Sequence, residues 1–154
     1  MRILRFFPLF FAAACTNPTG STTANVTDTT LAQTAATPMT LTAQFAAKKG
    51  KYVNDLGVLD EKTELNKRIK ALLGDAYGDF AERMAVQTPI RQDGTTWFFS
   101  SCASGACTYD EGAVAYDTAA DNLFVCIIKE GKPTVKSEQK AENPAILAAY
   151  LSDL

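Results

Sequence analysis

Apolar positions along this chain follow two periods, and the change falls near Val86. Before it, Leu65, Ile69, Leu72 and Leu73 recur at helical spacing and share one face. Asp60 stands where a cap belongs, so the predicted helix runs from Glu61 to Leu73 and closes at Gly74. Asp75 then caps a second predicted helix, in which Tyr77, Phe80, Ala81 and Met84 fall at helical spacing and read as core. Beyond Val86 the period shortens. Gln87 to Arg91 reads as a strand, Asp93-Gly94 as a hairpin turn, and Thr95 to Ser101 as a strand with Trp97 and Phe99 on one face. Gly112 to Tyr116, Asn122 to Lys129 and Thr134 to Glu138 are the third, fourth and fifth strands, with turns at Asp117–Asp121 and Glu130–Lys132. Asn143 as cap and Pro144 at the first helical position open a final helix to about Ser152. No repeat is visible. This order predicts an α+β domain, an antiparallel β-meander of about five strands packed with N-terminal helices and a C-terminal helix.

The folded part begins near Leu41, and what precedes it has a different character. Residues 1–15 read MRILRFFPLFFAAAC: a basic start with Arg2 and Arg5, a short apolar run, then three alanines ending at Cys15. The run is too short to span a bilayer, so residues 1–14 read as a secretory signal. Small residues ending at a cysteine resemble a bacterial lipobox, which implies cleavage before Cys15 and a diacylglycerol on its sulfur. An ordinary signal cut after Ala14, leaving a free cysteine, is the alternative. Thr16 to Thr40 is dominated by Thr and Ala, carries one charge (Asp28) and shows no periodicity, so residues 15–40 read as a lipidated cysteine and a flexible tether. The expected location is the bacterial cell envelope, lipid-anchored at the outer membrane and facing the periplasm or the surface.

Composition narrows the chemistry. The chain of 154 residues has no histidine, which removes the commonest general base and metal ligand. Loss of the segment holding Arg2 and Arg5 leaves 13 basic residues against 17 acidic ones, a net charge of −4. That balance argues against nucleic acid and suits a basic protein partner.

The remaining chemistry centres on residues 98–112, FFSSCASGACTYDEG. Cys102 and Cys107 bracket four small uncharged residues, Ala103, Ser104, Gly105 and Ala106. An envelope location is oxidising, so a bridge between them is the default. In the chain-entropy picture so short a loop contributes roughly 2 kcal/mol, and closure removes loop conformations before a partner arrives. A metal at C-x₄-C needs two further soft ligands, and only Cys126 remains. Cys126 itself lies in the apolar strand NLFVCIIK and reads as a buried free thiol. Phe98 and Tyr109 flank the loop. They either enter the core as alternate strand residues or form an exposed aromatic rim, as binding hot spots do. Asp110, Glu111, Asp117 and Asp121 read as solvated acids at strand ends and turns; they fit no EF-hand spacing. No catalytic residue and no cofactor is indicated.

The runs LLGDAYGDFAERMAVQTPI, DGTTWFFSSCASGAC, DEGAVAYD and LFVCIIKEGK, in that order, resemble the inhibitor of vertebrate lysozyme (Ivy) family over about residues 52–135. The resemblance implies an envelope protein without enzymatic activity, whose protein partner is a lysozyme or another peptidoglycan-cleaving enzyme. It also implies that the disulfide-closed loop plugs the cleft of that enzyme. Family members usually carry a proline and a histidine in the loop, the histidine reaching the catalytic carboxylates. Here the loop holds Ala103, Ser104, Gly105 and Ala106 instead, so that contact has no counterpart. An envelope interaction or structural lipoprotein that kept the fold without inhibiting lysozyme is the alternative function.

Overall fold

A computed structural model describes residues 39–154. The predicted signal segment, Cys15 and nearly all of the predicted tether lie outside the described residues. The described chain runs α1 (Leu41–Ala47), α2 (Glu64–Leu73), α3 (Tyr77–Glu82), then strands β1 (Val86–Gln87), β2 (Arg91–Asp93), β3 (Thr96–Cys102), β4 (Glu111–Asp117), β5 (Asn122–Lys129) and β6 (Lys132–Ser137), and ends in α4 (Ala145–Ser152). All strand pairs are antiparallel. The order is β1-β3-β4-β5-β6, with β2 also on β3. The α+β meander is therefore as expected, with six strands where five were read.

The sixth strand arises because the predicted strand Gln87–Arg91 is broken. Pro89 has no N–H for a ladder. Ile90 turns away from β3 and exchanges backbone hydrogen bonds with the 50–51 segment: Ile90 N donates to Lys51 O at 2.8 Å and Gly50 N to Ile90 O at 2.9 Å. Thr88 bridges the gap, its N–H donating to Ser100 O at 2.9 Å. The Asp93-Gly94 hairpin forms as read, with Asp93 opposite Thr96.

Helix boundaries also shift for reasons of capping. Thr63, not Asp60, caps α2, its Oγ1 accepting from Asn66 N at 3.2 Å. Asp60 instead accepts from Lys62 N at 3.0 Å in the turn before. A side-chain oxygen satisfies one of the free N–H groups of the first turn, and the helix starts where that oxygen sits. Asp75 lies in a short 3₁₀ turn (Gly74–Ala76) and makes no capping bond to α3. Pro144 is itself the N-cap of α4, with no side-chain cap. Gly74 ends α2 as predicted.

Every residue of β3 is buried, because its sheet is covered on both faces. Leu65, Ile69, Leu73 and Phe80 from the helices, and Met84 just beyond the end of α3, pack with Trp97, Phe99, Val114, Tyr116, Leu123 and Val125. The short helix α1, unremarkable in the sequence, docks through Phe45, which stacks on Trp97, Phe99 and Tyr116 at 6.1, 6.4 and 5.5 Å. Burying such a side chain contributes about 1.5–3 kcal/mol. On the opposite face Phe98, Ala113, Ala115, Phe124, Cys126 and Ile128 meet Leu147 of α4. The alternation in β4 fits both layers: Val114 and Tyr116 fill the thick helical side, while Ala113 and Ala115 leave room for α4. No described helix is long and apolar enough to cross a membrane.

Candidate functional site

The chain leaves the sheet at Cys102 and returns at Glu111, the last registered pair of β3 and β4. Cys102 and Cys107 are disulfide-bonded, with Cα atoms 5.0 Å apart. Ala103 N donates to Asp110 O at 3.0 Å and extends the ladder one step beyond the strands. A tight turn follows, Ala106 N donating to Ala103 O at 3.1 Å. Gly105 sits in that turn at φ +77, a conformation that favours glycine. A second turn places Tyr109 N and Asp110 N on Ala106 O, at 3.0 and 2.9 Å. The loop is thus folded by its own backbone as well as by its bridge.

The tip is open. Ser104, Gly105, Cys107, Thr108 and Tyr109 are exposed, and no described atom lies within 4 Å of the space a Gly105 Cβ would take. The amides of Ser104, Gly105 and Cys107 have no hydrogen-bond partner among the described residues. Trp97 does not cover the loop; it belongs to the far end of β3, opposite Gln92 and Tyr116. Tyr109 is 65 % exposed, while Val86, 48 % exposed, lies opposite Cys102 in the sheet. Both present exposed apolar surface, Tyr109 within the loop and Val86 at its base. Phe98 takes no part in a rim. It is fully buried against α4, its ring 5.3 Å from that of Tyr150, because the pleat sends it to the face opposite Trp97 and Phe99.

The base of the loop is held by groups that the sequence did not single out. Arg83, at the end of α3, is buried and donates in three directions. Its Nη2 meets Asp110 Oδ1 at 2.9 Å, Nε meets Ile128 O at 2.9 Å, and Nη1 meets Asp79 O at 2.5 Å. One guanidinium thereby ties a helix end, the end of β5 and the loop together. Asp110 also accepts from Glu130 N at 3.4 Å, and Tyr109 O accepts from Gly131 N at 2.9 Å. Glu111 is half-buried and takes two bonds, from Thr108 N at 2.7 Å and from the hydroxyl of Tyr150. Asp110 and Glu111 are only partly solvated, not the purely solvated acids their positions suggest: each accepts bonds that hold the loop. Asp117 accepts from Thr95 Oγ1 and Asp121 from Arg68 Nη1, at 2.9 and 2.8 Å, at the other end of the strands. No sequence signal marks Arg83, since its role depends on where α3 ends relative to β5.

Cys126 is a free, buried thiol in β5, as expected. Burial pushes its pKa up to about 11, only partly offset by its hydrogen bond with the backbone of Thr134. It is chemically quiet. Among the described residues no three His, Cys, Asp or Glu side chains come together as a metal site.

What the bridged segment offers chemically is a small, uncharged, pre-shaped projection with free amide donors and, between the two cysteines, one hydroxyl, that of Ser104. Comparison with curated proteins and with solved structures gave no match. A family model does match: inhibitor of vertebrate lysozyme (Ivy), over residues 64–153. The matched segment begins at α2, contains Arg83, both bonded cysteines and the whole sheet, and reaches the end of α4. It accounts for more than half of the sequence, and the chain belongs to the inhibitor of vertebrate lysozyme family.

Proposed function

We propose that this protein inhibits a lysozyme or a related peptidoglycan-cleaving enzyme by inserting the Cys102–Cys107 loop into the enzyme's cleft. Lysozyme inhibition is the function of the family; the loop as plug is the reading carried by one observation. The loop projects with its tip uncovered while bridge, turns and Arg83 hold its base. A rigid projection loses little conformational freedom on binding, which favours a fit into a concave site. The free amides of Ser104, Gly105 and Cys107 and the Ser104 hydroxyl supply donors toward acidic groups in such a cleft. The mature net charge of −4 suits a basic target. Cys15, by its lipobox-like setting, would carry the lipid that holds the inhibitor at the envelope, with residues 16–40 as tether.

The test is inhibition of egg-white lysozyme by wild type and by Ser104→Trp. Ser104 is exposed and, unlike Gly105, does not hold a positive φ, so the change adds bulk at the tip without backbone strain. Inhibition by wild type and its loss in Ser104→Trp are expected. Equal inhibition by both removes the loop from the mechanism. The missing loop histidine favours a second reading, an envelope lipoprotein of the same fold that binds another partner. Failure of wild type against every lysozyme and lytic enzyme tried selects that reading. Cys15→Ala tests the anchor separately: the expected result is a protein released from membranes or left unprocessed.

A further inference from the structure

We propose that Glu111 is a positioning residue, linking the docking of α4 to the shape of the loop. The proposal rests on the inhibitor reading above and adds which residues set the loop's binding conformation. Thr108 is the observation that motivates it. It is β-branched, exposed, and held at φ +88, where side chains of its kind are strained. Something must hold it there. Its N–H donates to Glu111 Oε1 at 2.7 Å, short for a bond of this kind. The other oxygen, Oε2, accepts from the Tyr150 hydroxyl.

Tyr150 is in turn fixed. It is partly buried, packs on Phe98 and belongs to the helix whose Leu147 is fully buried against the sheet. Burial first, and the carboxylate second, hold its hydroxyl far above the ordinary phenol range. It remains a donor at any working pH. The chain of contacts runs from α4 through Tyr150 and Glu111 to Thr108.

The other restraints act elsewhere. Arg83 and Glu130 hold Asp110, the bridge holds Cys107, and Gly131 holds Tyr109. Among the described residues, Glu111 is the acceptor that Thr108 N–H finds. A cavity of about 150 Å³ borders Thr108, Glu111, Tyr150 and Asp153, so a released Thr108 has room to relax. Relaxation there would shift Cys107 on one side and Tyr109 on the other, both part of the exposed surface.

The experiment uses three variants of the full folded domain with its tether: Glu111→Ala, Glu111→Gln and Tyr150→Phe. Gln keeps an acceptor for Thr108 N and an amide that the Tyr150 oxygen can accept from. Phe keeps the ring against Phe98 and deletes the donor. Two quantities are read, amide exchange at Thr108 by NMR and the inhibition constant against egg-white lysozyme. In Glu111→Ala we expect fast exchange at Thr108 and inhibition weaker by about tenfold, equivalent to about 1.4 kcal/mol. Glu111→Gln should restore both, and Tyr150→Phe should raise Thr108 exchange while the fold stays intact. A purely structural role for Glu111 predicts no selective change at Thr108 and no rescue by Gln. The proposal is overturned if Thr108 exchange in Tyr150→Phe and Glu111→Ala equals wild type, or if Glu111→Ala inhibits as well as wild type. Should Glu111→Ala not fold, Tyr150→Phe alone decides. A wild type that fails to inhibit overturns the inhibitor reading, and the exchange data then still decide whether the link to α4 exists.

Discussion

Replacing Arg83 by Met tests whether one buried cation organises the loop base. The side chain is 6 % exposed and its partner Asp110 35 % exposed. Met retains much of the stem's packing and removes three donated hydrogen bonds. The carbonyl of Ile128, in a fully buried residue, loses a partner; leaving a buried acceptor without one costs about 1–3 kcal/mol. Asp110 is exposed enough to regain water, so the full 3–5 kcal/mol of a broken buried pair does not apply. The sum is a loss of about 2–3 kcal/mol, or roughly 8–12 °C at about 4 °C per kcal/mol for a domain this size. Trp97, the sole tryptophan and 4 % exposed, reports unfolding by fluorescence in urea. The midpoint should fall with the slope unchanged. Asp110→Asn keeps an acceptor for Nη2 and should lose under about 1 kcal/mol. The double variant should lose less than the two single losses added together, since both act on one contact. A loss below about 1 kcal/mol in Arg83→Met would refute the argument that burial makes these three bonds costly to delete.

Three further outcomes follow from the geometry. A Cβ on Gly112 would lie 2.6 Å from Met84 Cε, the far end of a flexible side chain that can shift, so Gly112→Ala should destabilise by no more than about 1 kcal/mol, and its cost should shrink further in a Met84→Ala background, where that end is gone. Chemical denaturation measures both. The Arg68 guanidinium first, and the Tyr116 hydroxyl second, hold the Asp121 carboxyl below its ordinary value. A depressed folded pKa adds stability that is complete above the unfolded value near ~4 and is lost as pH falls through the folded one. Asp121→Asn should therefore flatten the acid limb of a stability–pH curve, by under about 1 kcal/mol given the exposure of Asp121. Cys126, with its thiol pushed up to about 11 and buried, should resist a thiol reagent at pH 8 in the native protein and react on unfolding. Rapid native labelling would show that β5 opens.

What the sequence disclosed followed from periodicity and turn chemistry. Asn122–Lys129 was legible to the residue because an apolar run lies between two polar turns. The Asp93-Gly94 hairpin was legible because few residues adopt its backbone. The break at Pro89 was overlooked because the partner that draws Ile90 away from β3, the 50–51 segment, is distant in sequence. Phe98 was ambiguous for a related reason. Alternation says that Phe98 and Phe99 face opposite ways, but not that α4 covers the second face. Arg83, Glu111 and Tyr150 escaped because their function is set by three helix and strand ends meeting. No local pattern encodes such a meeting, and charged residues near turns look like ordinary surface.

The loop's composition shifts where binding energy must come from. A charged donor reaching a carboxylate contributes more than a neutral one, and this tip has no charged donor. Each neutral hydrogen bond contributes only about 0.5–1.5 kcal/mol net. Three free amides and one hydroxyl therefore give a modest sum, and affinity depends on how little is spent ordering the loop. That is why so much of the surrounding structure holds a loop whose tip is chemically plain. The bridge fixes Cys107, Arg83 fixes Asp110 and Glu111 fixes Thr108, so neighbouring parts of the loop are restrained from different elements. The exposed apolar groups, Tyr109 in the loop and Val86 at its base, add area that needs no charge. On this reasoning, loosening any one anchor should weaken binding more than deleting the Ser104 hydroxyl. Comparing Ser104→Ala with Arg83→Met and Glu111→Ala in a single inhibition assay decides it. A larger loss from Ser104→Ala would mean that tip chemistry, not rigidity, carries the affinity.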